Sequence, residues 1–174
     1  MKTLLMTVGL PRSGKSTWAR TQGYPIVCPD SIRMALYGQA FVKTAESIVW
    51  ANAKLMVASL FEAGHDVVIL DATNTIARYR DEWLDDRWQV RYVLFSTSRD
   101  ECIRRAKANN QEYLLPVIER MYEGFEFPSD PWHPEKLGSA SARIYQALSA
   151  NGLWATGSDD VIWGSIIEYA IKRV

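Results

Sequence analysis

The sequence predicts an α/β fold, a parallel sheet with helices on both faces, and two observations carry that expectation. Short apolar runs rich in β-branched residues alternate along the chain with segments of helical period. That is the pattern of strands joined by helical crossovers. The first run, Thr3 to Val8, leads into Gly9-Leu10-Pro11-Arg12-Ser13-Gly14-Lys15-Ser16 and then into a helix-permissive segment beginning Thr17-Trp18-Ala19-Arg20. The octapeptide has the form G-x-x-x-x-G-K-S, the Walker A or P-loop pattern, and it stands between a strand and a helix as its mechanism requires.

The elements follow in order. Gly23-Tyr24-Pro25 breaks the first helix, and Ile26-Val27-Cys28 reads as a second strand. Pro29-Asp30-Ser31 opens a helix to Tyr37 that Gly38 stops, with Asp30 placed as its N-cap. Thr44 to Ala63 has apolar residues at helical spacing (Ile48, Trp50, Leu55, Met56, Leu60, Phe61), and Gly64 ends it. Val67 to Leu70 is continuously apolar, as a strand covered on both faces must be. A helix is expected from Ile76 to about Arg87, a fourth strand from Val90 to Phe95, and a basic helix from Asp100 to Asn109. Pro116 suits the first position of another helix, to about Phe125. Pro128 to Pro134 reads as a loop holding Trp132 and His133, followed by helices at Ser139 to Ala150 and Ile162 to Val174 and by no good final strand.

Length and composition bound the rest. The 174 residues predict one domain, with a lid at about 99–115 and a helical tail at about 131–174. Lys+Arg and Asp+Glu are equal at 20 each, whereas a protein that coats duplex nucleic acid usually carries a basic excess. Gripping only a chain end needs few phosphate contacts. Cys28 and Cys102 have no metal-like spacing and read as ordinary thiols in a reducing compartment. Lys2 leads straight into the strand, leaving no visible signal peptide, and no apolar run approaches the ~20 residues of a membrane helix. A cytoplasmic location without membrane contact is the expectation.

In open parallel sheets ligands bind beyond the carboxyl ends of the strands. Gly9, Asp30, Asp71 and Ser96 each follow a predicted strand, so they should share one rim. Gly9 and Gly14 let consecutive N–H groups of the loop turn inward as an anion cradle from Gly9 through Pro11, Arg12 and Ser13 to Ser16 and Thr17. Lys15 would then reach the β- and γ-phosphates of ATP, and the Ser16 hydroxyl would ligate Mg²⁺. Asp30 has two readings, general base or helix cap. Arg33, one turn on, would orient Asp30, hold an acceptor phosphate, or lie in solvent. Asp71 would meet Mg²⁺ through water or would simply form a turn. Thr73 and Asn74 are uncharged groups suited to acceptor or loop contacts. In the basic helix, arginine would neutralise charge on the transferring phosphoryl group. The alternative is a solvated helix face; Arg104 and Arg105 are adjacent and point in different directions, so at most one of them enters the site. Of the seven tryptophans, Trp50 and Trp83 read as core, and Trp132 is the one considered for stacking on substrate.

Met6 to Arg20 resembles the start of the 5′-kinase domain of phage-type polynucleotide kinase. Pro-Asp-Ser-Ile-Arg at Pro29–Arg33 is similar to that family's acidic helix motif, with Asp30 and Arg33 at its catalytic Asp and Arg. Val68 to Asn74 resembles its strand-end motif. Glu101 to Lys107, with Pro116 and Glu119 to Tyr122, resembles its lid. The resemblance spans most of Met1 to Pro128. It implies an ATP-dependent kinase, Asp30 as base, Arg33 as scaffold or acceptor-phosphate contact, and an acceptor tunnel opposite the ATP site. The sequence departs from the pattern at Arg12, where glycine is usual, and at Asn109, where a second lid arginine is usual after Arg105. Within these 174 residues no counterpart of the phosphatase domain of the family's bifunctional members is expected.

The expected activity is therefore transfer of the ATP γ-phosphate to a hydroxyl, foremost the 5′-hydroxyl of a nucleic-acid end. A hydroxymethylated base in DNA, a modified nucleotide, a nucleoside or a small metabolite are the alternative acceptors. A nucleotide-dependent binding or switch module is the alternative outside enzymes, and it would need no base at Asp30.

Overall fold

The computed structural model describes residues 1–128 and the backbone of Pro131–Trp132. Its centre is a parallel sheet in the order β2-β3-β1-β4-β5. The strands are β1 (Thr3–Val8), β2 (Ile26–Val27), β3 (Val67–Leu70), β4 (Gln89–Leu94) and β5 (Pro131–Trp132). β1 lies between β3 and β4, with Leu4 opposite Val68 on one side and Val90 on the other. The helices are α1 (Lys15–Thr21), α2 (Pro29–Tyr37), α3 (Glu46–Glu62), α4 (Ala77–Asp81), α5 (Arg99–Ala108) and α6 (Leu115–Glu123).

Alternation along β1 divides the core. Leu4 and Met6, with Val68 and Leu70, pack under α3, while Leu5, Ile69 and Val93 face Ala19 and Trp18 of α1. A strand buried on both faces is what the continuous apolar runs predict. Trp83 is buried in the α3 layer and meets the partly buried Trp50 edge-on at 6.3 Å. A separate cluster joins α5 and α6 through Cys102, Ala106 and Ile118, and Leu10 of the glycine loop belongs to it. The lid is therefore packed onto the loop it would cover.

Several expectations are corrected. The long helix buries Val49, Ala53, Val57 and Phe61, while Ile48, Leu55 and Met56 are exposed. The helix is apolar on nearly every side, so period alone could not choose its inner face. The four buried residues form one i, i+4 row, which packs on the strand residues Leu4, Met6, Val68 and Leu70. The helix expected to reach Arg87 stops at Asp81. The Asp85 carboxylate accepts from the backbone N–H and the Nε of Arg87, closing a turn that leads to the Asp85–Trp88 bridge. Pro131–Trp132, expected in a loop, is an edge strand parallel to β4. At α2 the N-cap is Cys28, with no side-chain cap bond, and Asp30 lies inside the first turn. The tail helices and His133 fall outside the described residues.

No helix among the described residues is long and apolar enough to cross a membrane.

Candidate active site

The site is assembled at the carboxyl ends of β1, β2 and β3. The glycine loop is shaped by close packing. A Cβ on Gly9 would lie 2.8 Å from Ser13 Oγ and 2.9 Å from Phe95 Cβ, so only glycine fits. Gly14 caps α1 at φ 103°, which turns the chain into the helix. Arg12, at the position where glycine was expected, also has a left-handed φ of 67°. That conformation costs a non-glycine residue roughly 1–2 kcal/mol. Further hydrogen bonds fix the loop: Gly9 N–H donates to the Thr73 carbonyl at 2.9 Å, and the Thr97 hydroxyl donates to the Ser13 carbonyl at 2.9 Å.

Lys15 is 7% exposed, and its ammonium donates to the Leu10 carbonyl at 2.6 Å and to Ser13 Oγ at 3.3 Å. Burial pulls its pKa down from 10.5 to about 8, and the negative field of Asp71 and, more weakly, Asp30 opposes the shift. The three groups thus share one rim although they come from distant parts of the chain.

Asp71 is held there by a clamp centred on Thr7 at the end of β1. The Thr7 hydroxyl donates to the Ala72 carbonyl at 2.8 Å and accepts from the Ala72 N–H at 3.2 Å. The Asn74 side-chain amide donates to the Thr7 carbonyl at 2.9 Å, and Arg80 Nη1 donates to the Asn74 carbonyl at 2.9 Å. Asn74, considered for acceptor contact, is buried in this clamp with φ 45°, which asparagine tolerates. Thr73 is partly buried, with its carbonyl on Gly9. Asp71 is 7% exposed as a residue and, among the described residues, its carboxylate takes no hydrogen bond and no ion pair, so its oxygens are left to solvent; nor does the Ser16 hydroxyl take a hydrogen bond. A carboxylate in a recess without a protein donor suits a hydrated cation near phosphates.

On the other flank, α2 carries Asp30 and Arg33. Arg33 is buried and sits between two acids. Nη1 donates to Asp30 Oδ1 at 2.5 Å, while Nε and Nη2 donate to the two carboxylate oxygens of Glu46 at 2.7 and 2.6 Å. The hydrogen bonds from Arg33 hold the Glu46 carboxyl below its usual range. Glu46 also accepts from Trp50 Nε1 at 3.3 Å. Glu46 was not singled out in the sequence, where it is one acid at a helix start. The Asp30 side chain is 83% exposed. Burial against the walls of the cleft pushes its pKa upward, and the Arg33 guanidinium opposes the shift.

The lid contributes Arg105. Its Nε donates to Glu101 Oε1 at 2.6 Å and its Nη1 to the Arg12 carbonyl at 3.3 Å, so it sits against the glycine loop. Arg104 points outward and pairs with the same Glu101. Asn109 caps α5, its amide donating to the Arg105 carbonyl at 2.8 Å. Ser98 opens α5 by accepting from the Glu101 N–H at 3.2 Å. This Ser-x-x-Glu signature is readable in the sequence, as is Thr7, a polar residue at the end of an apolar strand.

Residues 4–128 match a family model, AAA_33, described as an AAA domain. Among solved structures, the chain is similar to one in the Pnkp1/Rnl/Hen1 complex, at 26% identity, with 60% of this chain and 38% of that one covered and a TM-score of 0.55. It is also similar to a chain of the Pnkp1/Rnl/Hen1 RNA repair complex, at 19% identity, 72% and 47% coverage and a TM-score of 0.56. The chain thus spans less than half the length of these two. The APS kinase of Mycobacterium tuberculosis in complex with AMPPNP and APS matches at 18% identity, 86% and 98% coverage and a TM-score of 0.54. With its glycine loop, parallel sheet and helical lid, the chain belongs to the AAA_33 family of AAA domains and has the fold of a P-loop kinase.

Proposed function

We propose that the protein transfers the γ-phosphate of ATP to the 5′-hydroxyl of a nucleic-acid end. The observation that carries an acceptor kinase over a nucleotide switch is Asp30. Its carboxylate caps no helix, stays open to solvent, is aimed by Arg33, and lies on the rim that holds Lys15. The likeness to a chain of an RNA repair complex supports the nucleic-acid acceptor.

Each residue has a role. The N–H groups of the loop Gly9–Thr17 and the Lys15 ammonium bind the phosphates, with Pro11, Arg12 and Ser13 shaping the loop. Thr73 lines the acceptor side, and Asn74 and Thr7 hold Asp71 in place. Asp30 accepts the proton of the attacking hydroxyl while the new O–P bond forms and the bond from Pγ to the β-phosphate breaks, releasing ADP. Arg33 positions Asp30, and Glu46 positions Arg33. Arg105 is placed to meet charge on the transferring group once it leaves Glu101. Mg²⁺ fits Ser16 and, through water, Asp71, and would supply charge neutralisation on the phosphates.

The test is a screen of γ-labelled ATP against 5′-hydroxyl oligonucleotides, DNA with hydroxymethylated bases, nucleosides and sugars. Label on the oligonucleotide 5′ end is the expected result. Label only on a sugar or a base hydroxyl would replace the acceptor, and hydrolysis with no acceptor would return the protein to the switch class.

A further inference from the structure

Arg12 stands inside the phosphate-binding loop in a backbone conformation that suits it poorly. Its φ of 67° is left-handed, which a residue with a Cβ resists and glycine does not. Strain of this kind persists where the surroundings hold it, and it gathers at ligand clamps. Here the holding contacts lie at the residue itself and at the next one. The Arg12 carbonyl accepts from Arg105 Nη1 at 3.3 Å. Ser13 is buried, and its carbonyl accepts from the Thr97 hydroxyl at 2.9 Å.

The cations around the loop differ in what they already hold. Lys15 is buried against the Leu10 carbonyl. On the lid, Arg104 and Arg105 both pair with Glu101, and Arg99 pairs with Asp100 and Glu119. Asn109, at the end of α5, is uncharged, and its amide donates to the Arg105 carbonyl. Arg12 is half-buried, and among the described residues its guanidinium makes no hydrogen bond and no ion pair. It can meet an anion without first leaving a carboxylate, as the lid arginines must. A guanidinium without a protein anion, carried by a loop of inward N–H groups, is matched to a phosphate. Arg12 is also the loop residue whose main chain Arg105 of the lid touches. Loop and lid meet there, and the outer end of a phosphate chain would lie between them.

We propose that the Arg12 guanidinium binds the terminal phosphate of a bound nucleoside triphosphate, so that the loop itself carries the cation that tells a triphosphate from a diphosphate. This rests on the nucleotide half of the kinase reading and is independent of the acceptor. The left-handed strain is retained because the residue that bears it is in place before the lid moves.

The experiment measures the binding of AMPPNP and of ADP, each with Mg²⁺, to the full chain by calorimetry, alongside thermal unfolding. Arg12→Gln keeps a side chain at the left-handed position and loses the charge. Arg12→Gly loses the charge and the strain together. Each should weaken AMPPNP binding by about 10- to 100-fold, the range of hydrogen bonds to a charged group, and leave ADP within about threefold of wild type. Arg12→Lys keeps a charge without the planar fork and should fall between. Arg12→Gly should also melt higher than wild type, which separates the lost contact from a folding defect. Equal weakening of both nucleotides, or a loss in Arg12→Gly that Arg12→Gln does not share, would overturn the inference and make Arg12 a shaper of the loop. AMPPNP binding unchanged in both variants would overturn it too. In each of these cases the kinase reading stands, since the wild type still binds nucleotide. A wild type that binds neither AMPPNP nor ADP would overturn both.

Discussion

The two flanks of the rim are built by different means. On the nucleotide flank, recognition is made by backbone: glycine geometry at Gly9 and Gly14, and one buried cation, Lys15, tied to a main-chain carbonyl. On the flank proposed for the acceptor, side chains take over, with Asp30 open to water and Arg33 locked by an acid 13 residues away. Phosphate is the same in every nucleotide, and a fixed backbone cradle suits it. Acceptors differ, and exposed side chains on one short helix are what sequence change alters most easily.

The largest expected effect is on the nucleotide flank. Lys15→Ala should abolish transfer, a loss of roughly 10³-fold or more, with the fold retained, since phosphate neutralisation has no second buried cation in the loop. Lys15→Met adds a stability readout. A buried lysine with a folded pKa of about 8 against an ordinary 10.5 binds fewer protons when folded than unfolded between those values. Stability must therefore rise with pH across that window. The difference between wild type and Lys15→Met, by denaturant titration, should move toward wild type by about 2–3 kcal/mol from pH ~7 to ~10.5. A difference that does not change with pH would remove the buried charge from the account.

A smaller loss is expected at the lid. Arg105→Ala should lower kcat by about 10²-fold while changing the KM for ATP much less, because the contact strengthens only in the transition state. Equal changes in both would make Arg105 a ground-state contact. On the acceptor flank, Arg33→Met removes the positive partner of Asp30. The acid limb of the kcat/KM profile should move to higher pH, with activity falling as pH drops through it. A limb that stays in place would assign it to another group. The smallest effect is at Arg12: glycine there should relieve the left-handed strain and raise stability by about 1 kcal/mol in thermal unfolding. A destabilised Arg12→Gly would mean that the side chain contributes more than the strain costs.

The same contrast decides what the sequence made legible. The glycine loop is contiguous, and Gly9 to Thr17 could be placed, with the strand before it and the helix after it. Arg12 could be marked as unusual, and its φ of 67° gives the physical reason. Asp30 and Arg33 could be paired because they lie one turn apart. Glu46 could not, because its tie to Arg33 is made only by the packing of α2 against α3. Thr7 and Asn74 form a clamp across 67 residues that no local spacing announces. α3 is legible as a helix, but which of its apolar residues face inward is not, since they surround it: Phe61 is buried while Ile48, Leu55 and Met56 are exposed. α4 was drawn too long because Asp85 and Arg87 close a turn through their side chains.

The most direct test of the central claim is Asp30→Asn, assayed for transfer from γ-labelled ATP to a 5′-hydroxyl oligonucleotide alongside thermal unfolding. Asp30 caps nothing, asparagine keeps an oxygen that can accept from Arg33 Nη1, and Glu46 still neutralises that guanidinium, so the melting temperature should barely move. The amide keeps the shape and loses the basicity, so transfer should fall by about 10²- to 10⁴-fold. A variant that transfers phosphate at the wild-type rate would contradict the account, and the acceptor hydroxyl would have to be activated by another group.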